Sequence, residues 1–446
     1  MLASRKAMDV KAELLNRLTE ARVQTDRLFE VVRPDSLYER PIAERHRIVF
    51  YLGHLEAFDW NLLRERMLGV EAFHPQFDQL FAFGIDPVDG GLPSDQPQDW
   101  PSLSEVRSYH QRIRETLDAK LPNAIRQDSA TAGNELTSSN LLLNVAIEHR
   151  LMHAETLAYM LHQLPLDRKI PRLHTQNIRS APVAARLVEI PAGSATLGLS
   201  RNDGTTFGWD NEFECHQVMV PSFEIDQYKV TNGQYLQFMI AGGYEDPTLW
   251  SEDAWAWRTS SAITHPAFWK RVEDRWHFKG MFQEFPLPLD GPAYVSHAEA
   301  SAYARWVGKA LPTEAQWHRA AYGARDGLER AYPWGDEFPQ AIHGNFDFQS
   351  WDPTPVNAHP SGRSGFGVSD LLGNGWEWTS TVFQPFEGFR PFPFYPGYSA
   401  NFFDGKHSVM KGGSARTAAC ILRRSFRNWF QPNYPYIYAG FRCVRS

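Results

Sequence analysis

The chain has 446 residues, of which 43% are hydrophobic, and its 45 Lys and Arg against 52 Asp and Glu give a formal net charge of −7. This length exceeds what one compact core usually organises, and it predicts two domains. The acidic balance and the lack of Lys/Arg runs argue against nucleic acid or an acidic membrane as partner, because phosphate groups are bound by clustered cations.

Cysteine usage and the apolar runs predict a reduced, cytoplasmic protein. The cysteines are Cys215, Cys420 and Cys443, and no CxxC string occurs, so neither a disulfide framework nor a cysteine zinc site is indicated. The N-terminal residues lack the apolar core of a signal peptide, and no apolar stretch reaches the roughly 18 residues that a membrane span needs. We therefore expect no membrane partner.

Residues 8–165 are predicted to form a helical domain. Apolar residues recur at helical spacing in four segments, which are residues 10–32, 43–68, 103–117 and 138–164. Four helices with one long connection predict a four-helix bundle. The connection, residues 73–100, is rich in Pro, Gly and Asp and is predicted to be a loop over one end of the bundle.

A basic, proline-spaced linker is predicted at residues 166–185, and a second domain at residues 186–446. In the second domain the helical pattern gives way to short strand-like runs between turns. Examples are residues 186–190, 216–220 and 441–444. Helices are predicted at residues 232–240, 296–307 and 314–322. Helices in one half and mainly short strands in the other predict the α+β class.

Three histidines of the helical domain are candidate metal ligands. His149 and His153 are four residues apart, so their side chains lie on one face of a helix, and His54 lies in an apolar stretch of the second helix. Three imidazoles would leave some coordination positions of a metal open. Imidazole binds Zn, Cu, Fe and Ni, so the ligands alone do not identify the metal. The alternative is a pair of ordinary surface or core histidines. Glu148 and Glu155 either orient the ligands or are solvated charges.

The second domain carries eight ordered strings of distinctive residues. They are IPAG from 190, DNE from 210, VTNGQY from 230, LPTEAQW from 311, YPWG from 332, DLLGNGWEW from 370, KGGS from 411 and GFR from 440. Together they resemble the formylglycine-generating-enzyme (sulfatase-modifying factor) domain, whose fold is similar to that of C-type lectins. True members of that enzyme group have a cysteine pair after the GGS string, whereas this chain has only Cys420 there. Formylglycine generation is therefore not expected.

The histidine pattern of the first domain resembles the DinB-like bundle. A DinB-like bundle followed by this second domain is the architecture of the sulfoxide synthases of ergothioneine and ovothiol biosynthesis and of selenoneine synthase. The resemblance implies that the three histidines hold Fe(II), that O2 is a co-substrate, and that the acceptor is hercynine, a histidine betaine, or histidine in the ovothiol branch. The product would carry a new C–S or C–Se bond at C2 of the imidazole.

The family's substrate string resembles residues 427–430 of this chain. It implies that Asn428 and Trp429 bind the betaine. Arg427 and Phe430 beside them, and Met152 of the fourth helix, are further predicted substrate-binding residues. A quaternary ammonium has no N–H donor and is best held by aromatic faces. The alternative is that Trp429 and Phe430 belong to the core.

The family's active-site tyrosine precedes the FFDG string. Tyr395 is the first candidate for that role in this chain and Tyr398 the second. Phe394, one residue before Tyr395, is the alternative occupant of the family position.

Departures from the family pattern bear on the sulfur or selenium donor. Met152 stands where ergothioneine synthases usually have Gln, Phe430 stands where some members have Asp, and residues 81–93 contain no arginine. A donor with two carboxylates, such as γ-glutamylcysteine, would lack its usual cationic partners. Cysteine and an uncharged selenosugar remain as candidate donors. Because the chain ends at Ser446 without the methyltransferase domain of ovothiol synthases, the selenoneine-synthase-like branch is favoured.

Three other functions stay open from the sequence. One is an ergothioneine-type sulfoxide synthase that uses cysteine or γ-glutamylcysteine. Another is a thiol-dependent DinB-type enzyme with Zn or Ni in place of iron. The last is a non-catalytic protein whose lectin-like half binds a ligand.

Overall fold

The structure, a computed structural model, describes residues 2–85, 92–127, 138–172, 182–201 and 206–445. The chain divides into two compact units between residues 173 and 174. Residues 166–170 of the predicted linker belong to the first unit, in which Ile170 N–H donates to the carbonyl of Val31. The later part of that linker falls largely on residues 173–181, which lie outside the described residues.

The first unit is helical. Its helices are α1 (Leu2–Phe29), α2 (Ile48–Leu63), α3 (Pro75–Phe83), α4 (Leu103–Gln127) and α5 (Ser139–His162). α1 packs against α5 and α4, and α2 packs against α3, α4 and α5. Four of these are the predicted helices. α4 runs ten residues beyond the predicted end at 117, through Pro122, because Leu121 and Ile125 continue its buried face.

The prediction of a loop throughout residues 73–100 is wrong, because α3 lies within it. The helix begins at Pro75, whose fixed φ suits the first helical position. The His74 imidazole caps it by accepting from Phe77 N–H at 3.2 Å. Phe81 is fully buried against α2. The Pro, Gly and Asp residues that suggested a loop flank this short amphipathic helix.

The second unit mixes short strands and helices. In chain order it contains β1 (Leu187–Ile190), β2 (Gly193–Leu197), β3 (His216–Val220), β4 (Phe223–Asp226), α6 (Asn232–Ile240), α7 (Glu252–Ser260), β5 (Trp269–Val272), β6 (Arg275–Lys279), β7 (Glu284–Pro286), α8 (His297–Trp306), α9 (Glu314–Tyr322), β8 (Trp376–Val382), β9 (Ser408–Lys411), β10 (Asn428–Phe430), β11 (Ala439–Gly440) and β12 (Val444–Arg445). The largest sheet has the order β10-β9-β8-β11, and a second has the order β1-β4-β12. The predicted α+β class is confirmed.

Local signals explain the agreement in this unit. α6 and α9 have the predicted bounds, and α8 differs by one residue at each end. All three start with capping boxes, in which a Ser or Thr and a Glu or Gln three residues later satisfy free backbone N–H groups. α7 was not predicted.

The predicted strand at residues 441–444 is wrong for residues 441–443. There the chain crosses from the sheet of β8, which β11 joins, to the sheet of β4, which β12 joins. Arg442 points inward at this crossing and donates to the Glu377 carboxylate at 2.6 and 2.8 Å. Among the described residues, none of the helices has both the length and the apolar character that a membrane crossing requires.

Candidate metal centre and aromatic cluster

The three histidines predicted as ligands meet in the first unit. One ligand atom from each of His54, His149 and His153 lies within 4.8 Å of the others. His54 Nε2 is 3.3 Å from His153 Nε2. The four-residue spacing on α5 aligns two of the rings, and α2 supplies the third.

A backbone contact selects the tautomer of His54. Its Nδ1 lies 2.7 Å from the carbonyl oxygen of Phe81 on α3. Because a carbonyl can only accept, Nδ1 carries the proton, and Nε2 presents a lone pair towards the other two histidines. The sequence offered no sign of this contact, since residue 81 was predicted to lie in a loop.

Burial keeps the imidazoles neutral. Burial lowers the pKa of His54 to about 4. Burial and the neighbouring imidazoles lower the pKa of His149 well below its usual value, and the same holds for His153. Metals bind the neutral form of histidine, so this donor set fits a divalent transition metal with further positions open.

Aromatic rings cover part of the histidine cluster. Phe58 stacks on His149 with ring centroids 3.4 Å apart, and Phe50 stacks on His54 at 4.8 Å. Met152, predicted to touch substrate, is partly buried on α5 directly before His153. Glu148 is buried rather than solvated, and Glu155 is partly buried.

The second unit brings together several other predicted residues. Trp429 of β10 stacks on Phe383 with centroids 4.3 Å apart and an interplanar angle of 7°. Tyr398 contacts Trp429 edge-on at 5.5 Å and stacks on Trp209 at 4.0 Å. Tyr395 lies 5.6 Å from Tyr398. We call Trp209, Phe383, Tyr398 and Trp429 the aromatic cluster.

The substrate string has two different parts. Asn428, Trp429 and Phe430 are each partly buried, so none of them is a fully enclosed core residue. Arg427 is buried, and its guanidinium donates to both carboxylate oxygens of Glu314 at 2.9 and 3.1 Å. Its remaining nitrogen donates to the carbonyl of Gln384 at 3.0 Å. Arg427 therefore holds the string against the segment that carries Phe383.

Asp210 is a carboxylate near Tyr395, and the sequence did not suggest that Asp210 has a role there. Ser399 Oγ donates to its carboxylate at 2.7 Å. Burial raises the pKa of Asp210 to about 6. Burial and the charge of Asp210 together raise the pKa of Tyr395 to about 12, so this tyrosine is protonated at neutral pH. Asp210 belongs to the DNE string, which is typical of the family and gives no sign of a contact with the tyrosines.

Both units match known families. Residues 174–446 match the sulfatase-modifying factor enzyme 1-like domain, and residues 17–157 match the DinB superfamily. The chain is 39% identical over 311 residues to the hercynine oxygenase of Mycolicibacterium smegmatis, covering 67% of this chain and 70% of that protein. It is 28% identical over 497 residues to ergothioneine biosynthesis protein 1 of Neurospora crassa, covering 94% and 56%.

A formylglycine-generating enzyme also matches part of the chain. The formylglycine-generating enzyme of Mycobacterium tuberculosis is 31% identical over 242 residues, covering 46% of this chain and 77% of that protein. The chain spans only about half the length of several of the curated relatives that it matches.

We predict that Gly53→Ala destabilises the histidine cluster. A Cβ at Gly53 would lie 2.3 Å from the ring of Phe81, whose carbonyl orients His54. Overpacking of this kind costs about 1–3 kcal/mol, which exceeds the gain of up to about 1 kcal/mol from replacing a helical Gly by Ala. Chemical denaturation measures the free energy of unfolding. Adding Phe81→Leu should recover part of the loss, and a single variant as stable as the parent would contradict the packing argument.

We predict that Asp210→Asn stabilises the protein at neutral pH. The folded-state pKa of Asp210 is raised, so ionisation costs stability as pH rises through the range from the usual Asp value to about 6. The variant should gain up to about 3 kcal/mol at about pH 7.5 and almost nothing at about pH 4. Denaturation at both pH values measures the difference. Asp274→Asn, at a fully exposed side chain, is the control; a gain at Asp210 that does not grow with pH would contradict the prediction.

Proposed function

The chain belongs to the family in which a DinB domain precedes a sulfatase-modifying factor enzyme 1-like domain and which includes the hercynine oxygenases; on that premise we propose that it is an O2-dependent, non-haem iron enzyme that modifies hercynine. The observation that carries the proposal is the convergence of His54, His149 and His153 as neutral ligands on two buried helices. When bound there, Fe(II) supplies the redox chemistry with O2 that amino-acid side chains lack.

The residues around the centre have defined tasks in this proposal. Phe81 keeps Nε2 of His54 available by accepting from Nδ1. Phe50 and Phe58 keep water from part of the cluster, because their rings stack on the ligand imidazoles. His54, His149 and His153 would hold the metal through three neutral donors and would leave further positions open, as chemistry with O2 and a thiol or selenol donor requires.

Trp429 of the aromatic cluster, backed by the buried rings of Phe383, Tyr398 and Trp209, is proposed to bind hercynine. The partly exposed indole of Trp429 offers a face to the trimethylammonium group. Asn428 Oδ1 accepts from the backbone N–H of Trp429 at 2.9 Å, which orients its NH2 group to donate to the substrate. Tyr395, which burial keeps protonated at neutral pH, is the proposed proton donor, with Tyr398 as the alternative.

For the donor we propose an uncharged selenosugar, so that the new bond is C–Se at C2 of the imidazole. Support comes from the absence of arginine in residues 81–93 and from Met152 beside His153. One observation favours the ergothioneine-type alternative with cysteine or γ-glutamylcysteine. The charge of Arg45 acts on His153 and contributes to lowering its pKa, and that guanidinium donates to Tyr159 OH at 2.7 Å. A cation near the histidines suits a carboxylate-bearing donor.

We predict that His149→Ala abolishes iron binding. Protein reconstituted anaerobically should hold about one equivalent of Fe(II) per chain, and the variant should hold almost none. Elemental analysis after desalting measures the metal. His297→Ala, at a partly buried histidine of the second unit, is the matched control and should keep its iron. Tightly bound stoichiometric zinc that supports activity would contradict the iron proposal. If the chain binds no metal and takes up no O2 in the presence of hercynine, a non-catalytic binding protein is favoured.

A donor screen tests the substrate proposal. The iron-loaded chain is incubated with hercynine and O2 and with one of four donors: γ-glutamylcysteine, cysteine, a thiosugar or a selenosugar. Mass spectrometry identifies the product. We expect C–Se bond formation with the selenosugar. Turnover with γ-glutamylcysteine alone would contradict the donor proposal and leave the hercynine proposal intact.

A further inference from the structure

Arg150 follows the ligand His149 on α5 and lies fully inside the first unit. All five donor positions of its guanidinium are used. Nε and Nη2 donate to Asp59 Oδ2 at 3.2 and 2.6 Å. Nη1 donates to Glu56 Oε1 at 2.9 Å and to Thr25 Oγ1 at 3.2 Å. Nη2 also donates to the carbonyl oxygen of Leu55 at 2.9 Å.

The hydrogen bond from Arg150 Nη2 to the carbonyl of Leu55 joins the residues that directly follow two of the predicted metal ligands. Leu55 follows His54 on α2, just as Arg150 follows His149 on α5. The bond therefore fixes the position of the His54 imidazole along α2 relative to that of the His149 imidazole along α5. A slip of one residue would move a helix by about 1.5 Å, whereas metal–ligand distances tolerate roughly 0.2 Å.

The same group of side chains ties in the other long helices. Thr25 belongs to α1. Arg114 of α4 donates to Glu56 Oε1 at 2.8 Å and to Asp26 at 2.7 and 2.8 Å. Each of these four long helices thus contributes to one hydrogen-bonded cluster around Arg150, the residue that follows His149.

We propose that Arg150 is a positioning residue that holds α2 and α5 in the register required for metal binding by His54, His149 and His153. Charge alone does not explain its geometry, because a single cation could neutralise Glu56 or Asp59 without reaching the carbonyl of Leu55. The planar guanidinium makes five hydrogen bonds to four acceptors at once. An ammonium group has only three N–H donors on one nitrogen and cannot reproduce this set. The inference rests on the proposed metal centre.

The test is Co(II) binding to the metal-free full chain, followed through the visible ligand-field spectrum. Arg150→Lys keeps the charge and should fold, but it should bind Co(II) at least about 10-fold more weakly and with an altered spectrum, as is typical when a group that orients ligands is lost. Arg442→Lys is the matched control, because Arg442 is equally buried and forks onto Glu377 in the other unit. It should lose stability and keep the parental Co(II) affinity.

A second variant covers the case in which Arg150→Lys fails to fold. Arg150→Met combined with Glu56→Gln and Asp59→Asn leaves no buried unpaired charge from this set, and it too should bind Co(II) weakly. Parental affinity and spectrum in either folded Arg150 variant would overturn the positioning role. Failure of the parent chain itself to bind Co(II) or Fe(II) would instead overturn the metal centre of the proposed function.

Discussion

The first unit depends on one buried guanidinium. Arg150 donates to acceptors on α1 and α2 from its place on α5, and a second arginine on α4 shares its Glu56 partner. A charge buried this deeply is tolerated only when its partners satisfy it, so these helices are tied to one mutual arrangement. His54 and His149 stand one residue away from this network. The precision of the histidine cluster therefore follows from the same bonds that close the bundle.

The second unit uses the same device for its candidate substrate string. The guanidinium of Arg427 donates to both carboxylate oxygens of Glu314, and that of Arg423, four residues earlier, donates to Glu212 at 2.8 Å. Asn428 and Trp429 directly follow these anchors in the chain and remain partly exposed. Rigid ionic anchors next to accessible groups are what a preorganised binding site requires. Arg427, first considered as a substrate contact, is placed to orient the residues that follow it.

Sequence reasoning reached the features that local signals encode. The spacing of His149 and His153 and the capping boxes of α6 and α9 are short-range patterns, and the structure reproduces them. Features that depend on distant contacts were missed. The carbonyl of Phe81 that orients His54 is 27 residues away in the chain, and Ser399 lies 189 residues from Asp210. Every residue has a backbone carbonyl, so no sequence pattern predicts which one accepts from a given side chain. The pKa of a buried carboxylate depends on its surroundings in the folded protein, which the sequence does not give directly.

The central claim is that His54, His149 and His153 together hold Fe(II), and X-ray absorption at the iron edge tests it most directly. The anaerobically loaded chain should show the scattering pattern of three imidazoles among light-atom ligands. One imidazole contribution should disappear in each single His→Ala variant that still retains iron. Sulfur ligation, or a spectrum that is unchanged when any of the three histidines is replaced, would contradict the account.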